Sequence, residues 1–127
     1  MSTLNVSNIS DGTTSVGTGY VVNGSAKVCV SYNGTGTVAI RASLNISSLT
    51  DNATGQQTVS YTNNFAGAGE YSIAACAVDE GTAGGDFHGF YQTVPAVGSF
   101  RLVTIQSASG SAQDSRFVGM NMMGDLA

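Results

Sequence analysis

Hydrophobic and polar residues alternate along most of the 127-residue chain. Residues 27–32 read KVCVSY, and after the turn NGTG at 33–36 residues 37–43 read TVAIRAS. Every second side chain in both runs is apolar, which is the period of a strand with one buried face. Two such runs around a glycine-containing turn predict a β-hairpin. The predicted buried faces are Val28, Val30 and Tyr32 in the first run and Val38, Ile40 and Ala42 in the second.

A second hairpin is predicted for residues 43–65, which read SLNISSLTDNATGQQTVSYTNNF. Residues 51–55 favour a turn, because Asp and Asn side chains can bond their own backbone and Gly55 can adopt a positive φ. The flanking runs alternate, with Leu44 and Ile46 before the turn and Gln57, Val59 and Tyr61 after it.

Four more runs complete the pattern: YSIAACAV from Tyr71, FHGFYQTV from Phe87, FRLVTIQS from Phe100 and SRFVGMNMM from Ser115. The run from Phe100 has apolar residues on both faces, which indicates a central strand. Glycine-rich segments such as GTGYVVNG and GTAGG read as turns, and no helix longer than a turn is expected. The sequence therefore predicts an all-β fold: a single antiparallel β-sandwich, jelly-roll-like, of about eight strands over residues 20–127.

Residues 1–19 differ from the rest. Leu4, Val6 and Ile9 stand among Ser, Thr and Gly, and no hairpin partner is evident nearby. This segment is predicted to be an extended N-terminal arm ahead of the sandwich. Because free termini fray unless something holds them, these three residues are expected to dock on another chain.

Charge excludes several classes of function. Only Lys27, Arg41, Arg101 and Arg116 are basic and the formal net charge is -4, so no cationic stripe for nucleic acid can form. No signal-like start and no apolar run of membrane-spanning length is present, which predicts a protein made in a cytosol without membrane insertion. Charged residues make up only 9% of the chain, and this low charge content favours a protein that functions within an assembly.

Little in the sequence suggests catalysis or a cofactor. His88 is the single histidine, with Asp86 two positions before it, and no Ser lies in a Gly-x-Ser-x-Gly turn. Cys29 and Cys76 are too far apart in sequence for a metal motif. They form either a disulfide or, as a cytosolic origin favours, two buried free thiols. The predictions are no enzyme, no metal and no cofactor.

One cluster resembles a recognition site. Aromatic rings beside an acidic residue suit stacking on a sugar or contact with a protein. The plainer alternative is that Phe87 or Phe90 fills the sandwich core while Tyr91 caps an edge. The candidate recognition loop comprises Asp86, Phe87, His88, Phe90 and Tyr91.

Four segments carry a resemblance: STLNVSNISDGTTSV at 2–16, VVNGSAKV at 21–28, residues 32–65, which begin YNGTGTVAIRAS, and GDLA at 124–127. Together they resemble a family of short tailed-phage tail-fibre and virion proteins of marine and aquatic phages. The resemblance runs over nearly the whole chain and is strongest in residues 23–65 and in the closing GDLA at 124–127. It implies a structural virion component without enzymatic activity, made in the host cytoplasm and trimeric, as fibre proteins generally are.

The combined expectation is a tail-fibre-like virion protein. Its arm, through Leu4, Val6 and Ile9, would anchor it to the tail or head, and its sandwich would project outward with loops able to contact a host cell-surface glycan. The alternatives are a capsid decoration (cement) protein and a carbohydrate-binding module. Expected partners are two further copies of the chain and other virion proteins.

Overall fold

The computed structural model describes residues 2–78, 96–106 and 109–127, together with the backbone of residues 87–92. Strands form because alternating apolar residues and β-branched side chains suit a pleated, half-buried surface. The elements are β1 Asn8–Ser10, β2 Ser15–Gly17, α1 Thr18–Gly24, β3 Ala26–Asn33, β4 Ala39–Leu44, β5 Ile46–Ala53, β6 Gln56–Tyr61, β7 Tyr71–Val78, β8 Phe87–Gln92, β9 Ser99–Gln106 and β10 Phe117–Gly124.

Eight of these strands form one antiparallel sheet in the order β4-β3-β10-β7-β8-β9-β6-β5. The two end strands β4 and β5 follow each other in the chain with only Asn45 between them, and they are in contact. The sheet therefore folds over on itself, and the half that contains β3 and β10 faces the half that contains β6 and β9. The all-β prediction is confirmed, and the antiparallel strands form a sandwich-like arrangement.

The core lies between the two halves of the sheet. Tyr61 is held by its hydroxyl, which donates to the Met122 sulfur at 3.2 Å, and by an edge-on contact with Phe65 at 5.4 Å between ring centroids. Burial, with a smaller contribution from Tyr71, raises the pKa of Tyr61, and burial alone raises that of Tyr32. The buried cluster comprises Val28, Val30, Tyr32, Val59, Tyr61, Phe65, Ala77, Phe100, Leu102, Val118, Met120 and Met122.

Three of the predicted strands have the predicted buried faces. Every second residue of β3 is buried, and the same holds for β6. β9 lies between β8 and β6, and the apolar residues of both its faces are buried at its centre, as expected for a central strand. These faces comprise Val28, Val30 and Tyr32 in β3, Gln57, Val59 and Tyr61 in β6, and Phe100, Leu102 and Val103 in β9.

The predicted shared face of Val38, Ile40 and Ala42 is wrong at Ala42, whereas Val38 packs against the core. The β3–β4 register shifts between Ser31 and Tyr32, so Ala42 pairs with Ser31 on the outside while Ile40 pairs with Tyr32 on the inside. An extra residue in one strand changes the face of all that follow it.

The strand expected through Leu44 and Ile46 is interrupted at Asn45. Its φ is 60°, a left-handed conformation that ends β4 and begins β5. The Asn45 amide donates to the Asn63 carbonyl at 3.0 Å, and the Asn63 backbone N–H donates to the Asn45 side chain at 2.7 Å.

Two expectations for the N-terminal part are also wrong. Ile9 does have a hairpin partner, because β1 and β2 pair with Ile9 opposite Val16. Residues 18–24, read as a turn, form α1, which is nearly two turns long. The predicted division at residues 19 and 20 falls inside this helix, and the division of the chain into arm and sandwich stays a prediction.

Candidate interaction surfaces

The N-terminal segment, residues 2–24, has its own local structure. Asp11 shapes the β1–β2 turn, because its carboxylate accepts the backbone N–H groups of Thr13 at 2.9 Å and Thr14 at 2.7 Å. The hydrogen bond from Thr14, and to a smaller extent the one from Thr13, lowers the pKa of Asp11 below its ordinary value. The hairpin meets the helix where the Thr18 N–H donates to the Ser7 carbonyl at 2.9 Å.

Helix α1 has few intrinsic reasons to form. Its N-cap is Gly17, which provides no side-chain hydrogen bond, and its first turn contains no acidic residue. Val21 and Val22 are β-branched and therefore weak helix formers. At its end the Lys27 ammonium donates to the Val22 carbonyl and to the Ser25 hydroxyl. A seven-residue helix of this composition is marginal by itself.

No residue of the N-terminal segment is buried. Leu4, Val6 and Ile9, the residues predicted to dock, are 83%, 39% and 46% exposed. Four further large apolar side chains of the segment are exposed as well, and the sequence reading missed all four as part of a docking surface. They are Val16, Tyr20, Val21 and Val22.

The sequence contains features that point to the exposure of these four residues. Val16 falls opposite Ile9 once the Asp11-Gly12 pair is read as a turn. Tyr20, Val21 and Val22 form a short apolar run between Gly19 and Gly24, and such a run is compatible with a turn or a short helix. Local sequence distinguishes poorly between a short helix and a turn, because both leave these side chains in solvent.

The exposed area is large for the size of the chain. The accessible surface is 7351 Å², about 1,000 Å² more than a compact monomer of 12.8 kDa is expected to expose. The N-terminal segment contributes to this excess because it is uncovered along its whole length. An excess of this size is comparable with the roughly 800 Å² that each partner buries in a standard protein interface.

A second uncovered surface is the outer face, defined as the outward side chains of β4, β3, β10 and β7. All eight acidic residues of the chain lie outside these four strands. Arg41 is folded over the Phe117 ring, with its guanidinium carbon 4.3 Å from the centroid, and Lys27 stands at one end. The remaining members of the outer face are Cys29, Ser31, Asn33, Ala39, Ala42, Leu44, Ser72, Ala74, Cys76, Val78, Gly119, Asn121 and Met123.

The outer face is shaped by small residues along β3 and β10. A groove of about 370 Å³ runs over β3, with Leu44 on one side and Asn121 on the other. Its floor includes Ser31 and Gly119, and a Cβ at Gly119 would lie only 3.3 Å from the Cys76 sulfur. The outer face is therefore nearly free of charge and able to receive a close neighbour.

The two cysteines lie on the outer face. Both are free thiols, and the Cys29 thiol donates to the Asn121 side-chain oxygen at 2.9 Å. The expectation that both thiols are buried is wrong, because Cys29 is half-buried and Cys76 is exposed. Each cysteine alternates with buried neighbours, as with Cys29 between Val28 and Val30, and the strand period turns it outward.

The candidate recognition loop falls largely outside what the structure describes. Asp86 lies outside the described residues, and so do the side chains of Phe87, His88, Phe90 and Tyr91. The backbone of β8 runs between β7 and β9, with His88 opposite Ala77 on one side and Gln106 on the other. The recognition role and its alternative, a core role for the phenylalanines, both stay predictions.

Within the described ranges, no three His, Cys, Asp or Glu side chains lie close enough together to hold a metal ion.

A cleft of about 600 Å³ between the hairpin and α1 is lined by Ser7, Gly17, Thr18, Gly19, Tyr20, Asn23 and Gly24. Tyr20 is the single ionisable side chain in that lining. Among the same described residues, no helix is long and apolar enough to cross a membrane.

Comparison with known proteins adds no relative. The chain matches no family model, no curated protein and no solved structure.

Proposed function

We propose that the chain is a structural protein of a tailed-phage particle, resembling a tail fibre, whose N-terminal segment attaches a β-sandwich to a neighbouring protein chain. In this proposal the sandwich projects outward and its loops contact the host surface. The observation that carries the attachment role is the N-terminal segment itself. It presents seven exposed large apolar side chains and contains no buried residue.

The stability of the segment supports attachment to a partner. A two-stranded hairpin of three-residue strands and a seven-residue helix are each marginal in water. Within the described residues, α1 makes few contacts with the sandwich, mainly with β10. A partner that covers Leu4, Val6 and Ile9 would supply the burial that the chain itself does not provide.

The assignment to a phage particle rests on the resemblance of residues 23–65 and 124–127 to tail-fibre and virion proteins. The charge-poor composition agrees with it, because neighbours in an assembly cover surface that charges would otherwise keep soluble. The trimeric state is proposed on the same resemblance.

A capsid decoration protein is the second candidate, and the outer face favours it. A sheet face without acidic residues can lie flat against a shell, with the N-terminal segment gripping an adjacent subunit. Quantitative mass spectrometry of purified particles separates the two candidates. Hundreds of copies per particle indicate decoration, whereas a few dozen or fewer indicate a fibre.

Deleting residues 1–12 tests the attachment role. We expect particles assembled with the truncated chain to lack it, while the purified truncated chain keeps the circular dichroism spectrum and cooperative unfolding of the full chain, because none of residues 2–12 is buried. Immunoblotting of purified particles measures incorporation.

Two substituted chains serve as a matched pair for this experiment. Changing Leu4, Val6 and Ile9 to Ser should abolish incorporation as the deletion does. Changing the polar neighbours Thr3, Asn5 and Ser7 to Ala should leave it intact. Normal incorporation of the truncated chain would show that the N-terminal segment is not the attachment element.

A further inference from the structure

Strand β4 leaves one edge of the sheet open. It is an end strand, and no strand in the described part of the chain pairs with its outer edge. All six of its residues are exposed, including Ile40 at 40% and Leu44 at 55%. An exposed edge presents unpaired N–H and C=O groups that can pair with another chain.

This edge has little of the protection that edge strands usually have. Its one charged residue is Arg41, and the guanidinium turns back over the sheet, where it stacks on Phe117 and donates to the Tyr32 carbonyl at 3.3 Å. The other end strand, β5, contains Asp51 and has two register irregularities against β6. β4 has one such irregularity, where its register against β3 shifts at Arg41. Charges and bulges discourage pairing, so β4, with one irregularity against two in β5, is the more receptive of the two edges.

The same chain contains a free extended segment. Residues 2–6 are all exposed and belong to no strand or helix. They carry no charge, and Leu4 and Val6 are two positions apart, so both fall on one face of an extended strand. These five residues are long enough to pair along most of the six-residue strand β4.

We propose that residues 2–6 of one copy add as a strand to the outer edge of β4 in a second copy. The inference rests on the proposed attachment role of the N-terminal segment and names its partner as another copy of this chain. Backbone hydrogen bonds would supply affinity, as in other cases of strand addition. Leu4 and Val6 would pack beside Ile40 or Leu44, which lie on opposite faces of β4.

Charge and exposure favour a second copy as the occupant. Each copy has a net charge of -4, so two copies repel wherever acidic surfaces meet. Residues 2–6 and β4 together contain no acidic residue, and contact there avoids that repulsion. Residues 2–6 and the six residues of β4 are also all exposed, so both surfaces are accessible to another copy.

The contact is head-to-tail, because a donor segment on one copy meets a different surface on the next. Such contacts close into a ring when the rotation between copies permits it, and otherwise continue as an open chain. A ring of three copies would agree with the trimer proposed above.

Complementary variants test this geometry in the purified full chain. Ala42→Lys places a charge on the receiving edge, and a double variant, Leu4→Asp with Val6→Asp, blocks the donor. Thr50→Lys puts the same charge on an exposed position of the other edge strand, β5, as a matched control. Sedimentation velocity at tens of micromolar measures the mass of each chain alone and of the two blocked chains mixed.

We expect the unmodified chain and Thr50→Lys to sediment at two or more times the single-chain mass. Each blocked chain alone should fall to the single-chain mass. Their mixture should regain a twofold species, because one copy still offers a donor and the other an edge. A monomeric unmodified chain, or a mixture that stays monomeric, overturns the proposal.

Hydrogen exchange provides a second readout should Ala42→Lys fail to fold. The amides of β4 should exchange at least tenfold faster in the donor-blocked chain than in the unmodified chain, and equal rates overturn the proposal. Particle incorporation distinguishes this inference from the proposed function. If the edge-blocked Ala42→Lys chain, which keeps Leu4, Val6 and Ile9, still enters particles although it does not self-associate, while the chain lacking residues 1–12 does not enter, the segment attaches to a different protein and only the inference fails.

Discussion

Gln57 is the least expected side chain of the core. Its exposed fraction is 0%, yet among the residues that the structure describes neither its amide nitrogen nor its oxygen has a hydrogen-bond partner. The sequence predicted its inward position from the alternation with Val59 and Tyr61. A buried amide without partners costs about 1–3 kcal/mol of stability.

Replacing Gln57 with Leu should therefore stabilise the chain. The substitution keeps a similar volume and removes two unpaired polar atoms, so we expect the free energy of unfolding to rise by about 1–2 kcal/mol. Urea titration measures this change. Gln56→Leu, one position along the same strand, is the control, because the Gln56 side chain accepts a bond from Arg101 and its loss should not stabilise. A less stable Gln57→Leu chain would contradict this reading of the core.

The β5–β6 hairpin depends on Gly55. Its φ is 67°, its carbonyl accepts the Thr104 N–H at 2.8 Å, and its own N–H donates to the Asp114 carboxylate at 2.6 Å. A Cβ at this position would lie 2.6 Å from the Gln113 nitrogen and 2.7 Å from the Thr104 carbonyl oxygen. The turn is thus clamped between β9 and the segment that leads into β10.

Gly55→Ala should destabilise the chain more than Gly36→Ala. Both glycines have a positive φ, but a Cβ at Gly36 would meet nothing within 4 Å. The backbone conformation costs each variant about 1–2 kcal/mol, and the clash with backbone atoms should cost Gly55→Ala roughly 1–3 kcal/mol more. Chemical denaturation of both variants measures the difference in their free energies of unfolding. Equal decreases would show that the backbone around Gly55 accommodates a Cβ without cost.

Among the elements, strands with regular alternation could be predicted from sequence, because burial imposes a period of two that local residues reveal. Val28, Val30 and Tyr32 show this in β3. The register shift at Arg41 could not be predicted, because the alternation of Val38, Ile40 and Ala42 continues unbroken through it. The left-handed Asn45 could not be predicted either, because its side chain is held by Asn63, a tertiary contact.

The candidate site was predicted only in part. Leu4, Val6 and Ile9 were recognisable as apolar residues without a partner in the sandwich pattern. The open edge of β4 was not, because strand order in a sheet is a property of the whole fold, and the predicted hairpin of residues 27–43 gives no indication of which strand lies outermost. The exposure of Tyr20 likewise depends on how α1 lies against the sandwich.

At the scale of the molecule, the fold combines a well-packed sandwich with surfaces that lack a cover. The core is closed by Phe65 and the last residues, where the Ala127 N–H donates to the Asn64 carbonyl and the Ala66 N–H to the Asp125 carbonyl, both at 3.0 Å. The N-terminal segment and the edge of β4 are open by contrast. This division agrees with a chain that folds alone and completes its contacts on assembly.

We propose that another protein chain covers the N-terminal segment in the particle. An electron cryomicroscopy reconstruction of the intact particle at side-chain resolution would reveal such a contact. We predict density for Leu4, Val6 and Ile9 packed against a neighbouring chain, with the sandwich directed outward. Density that shows these three side chains in solvent, or a particle without this chain, would contradict the claim.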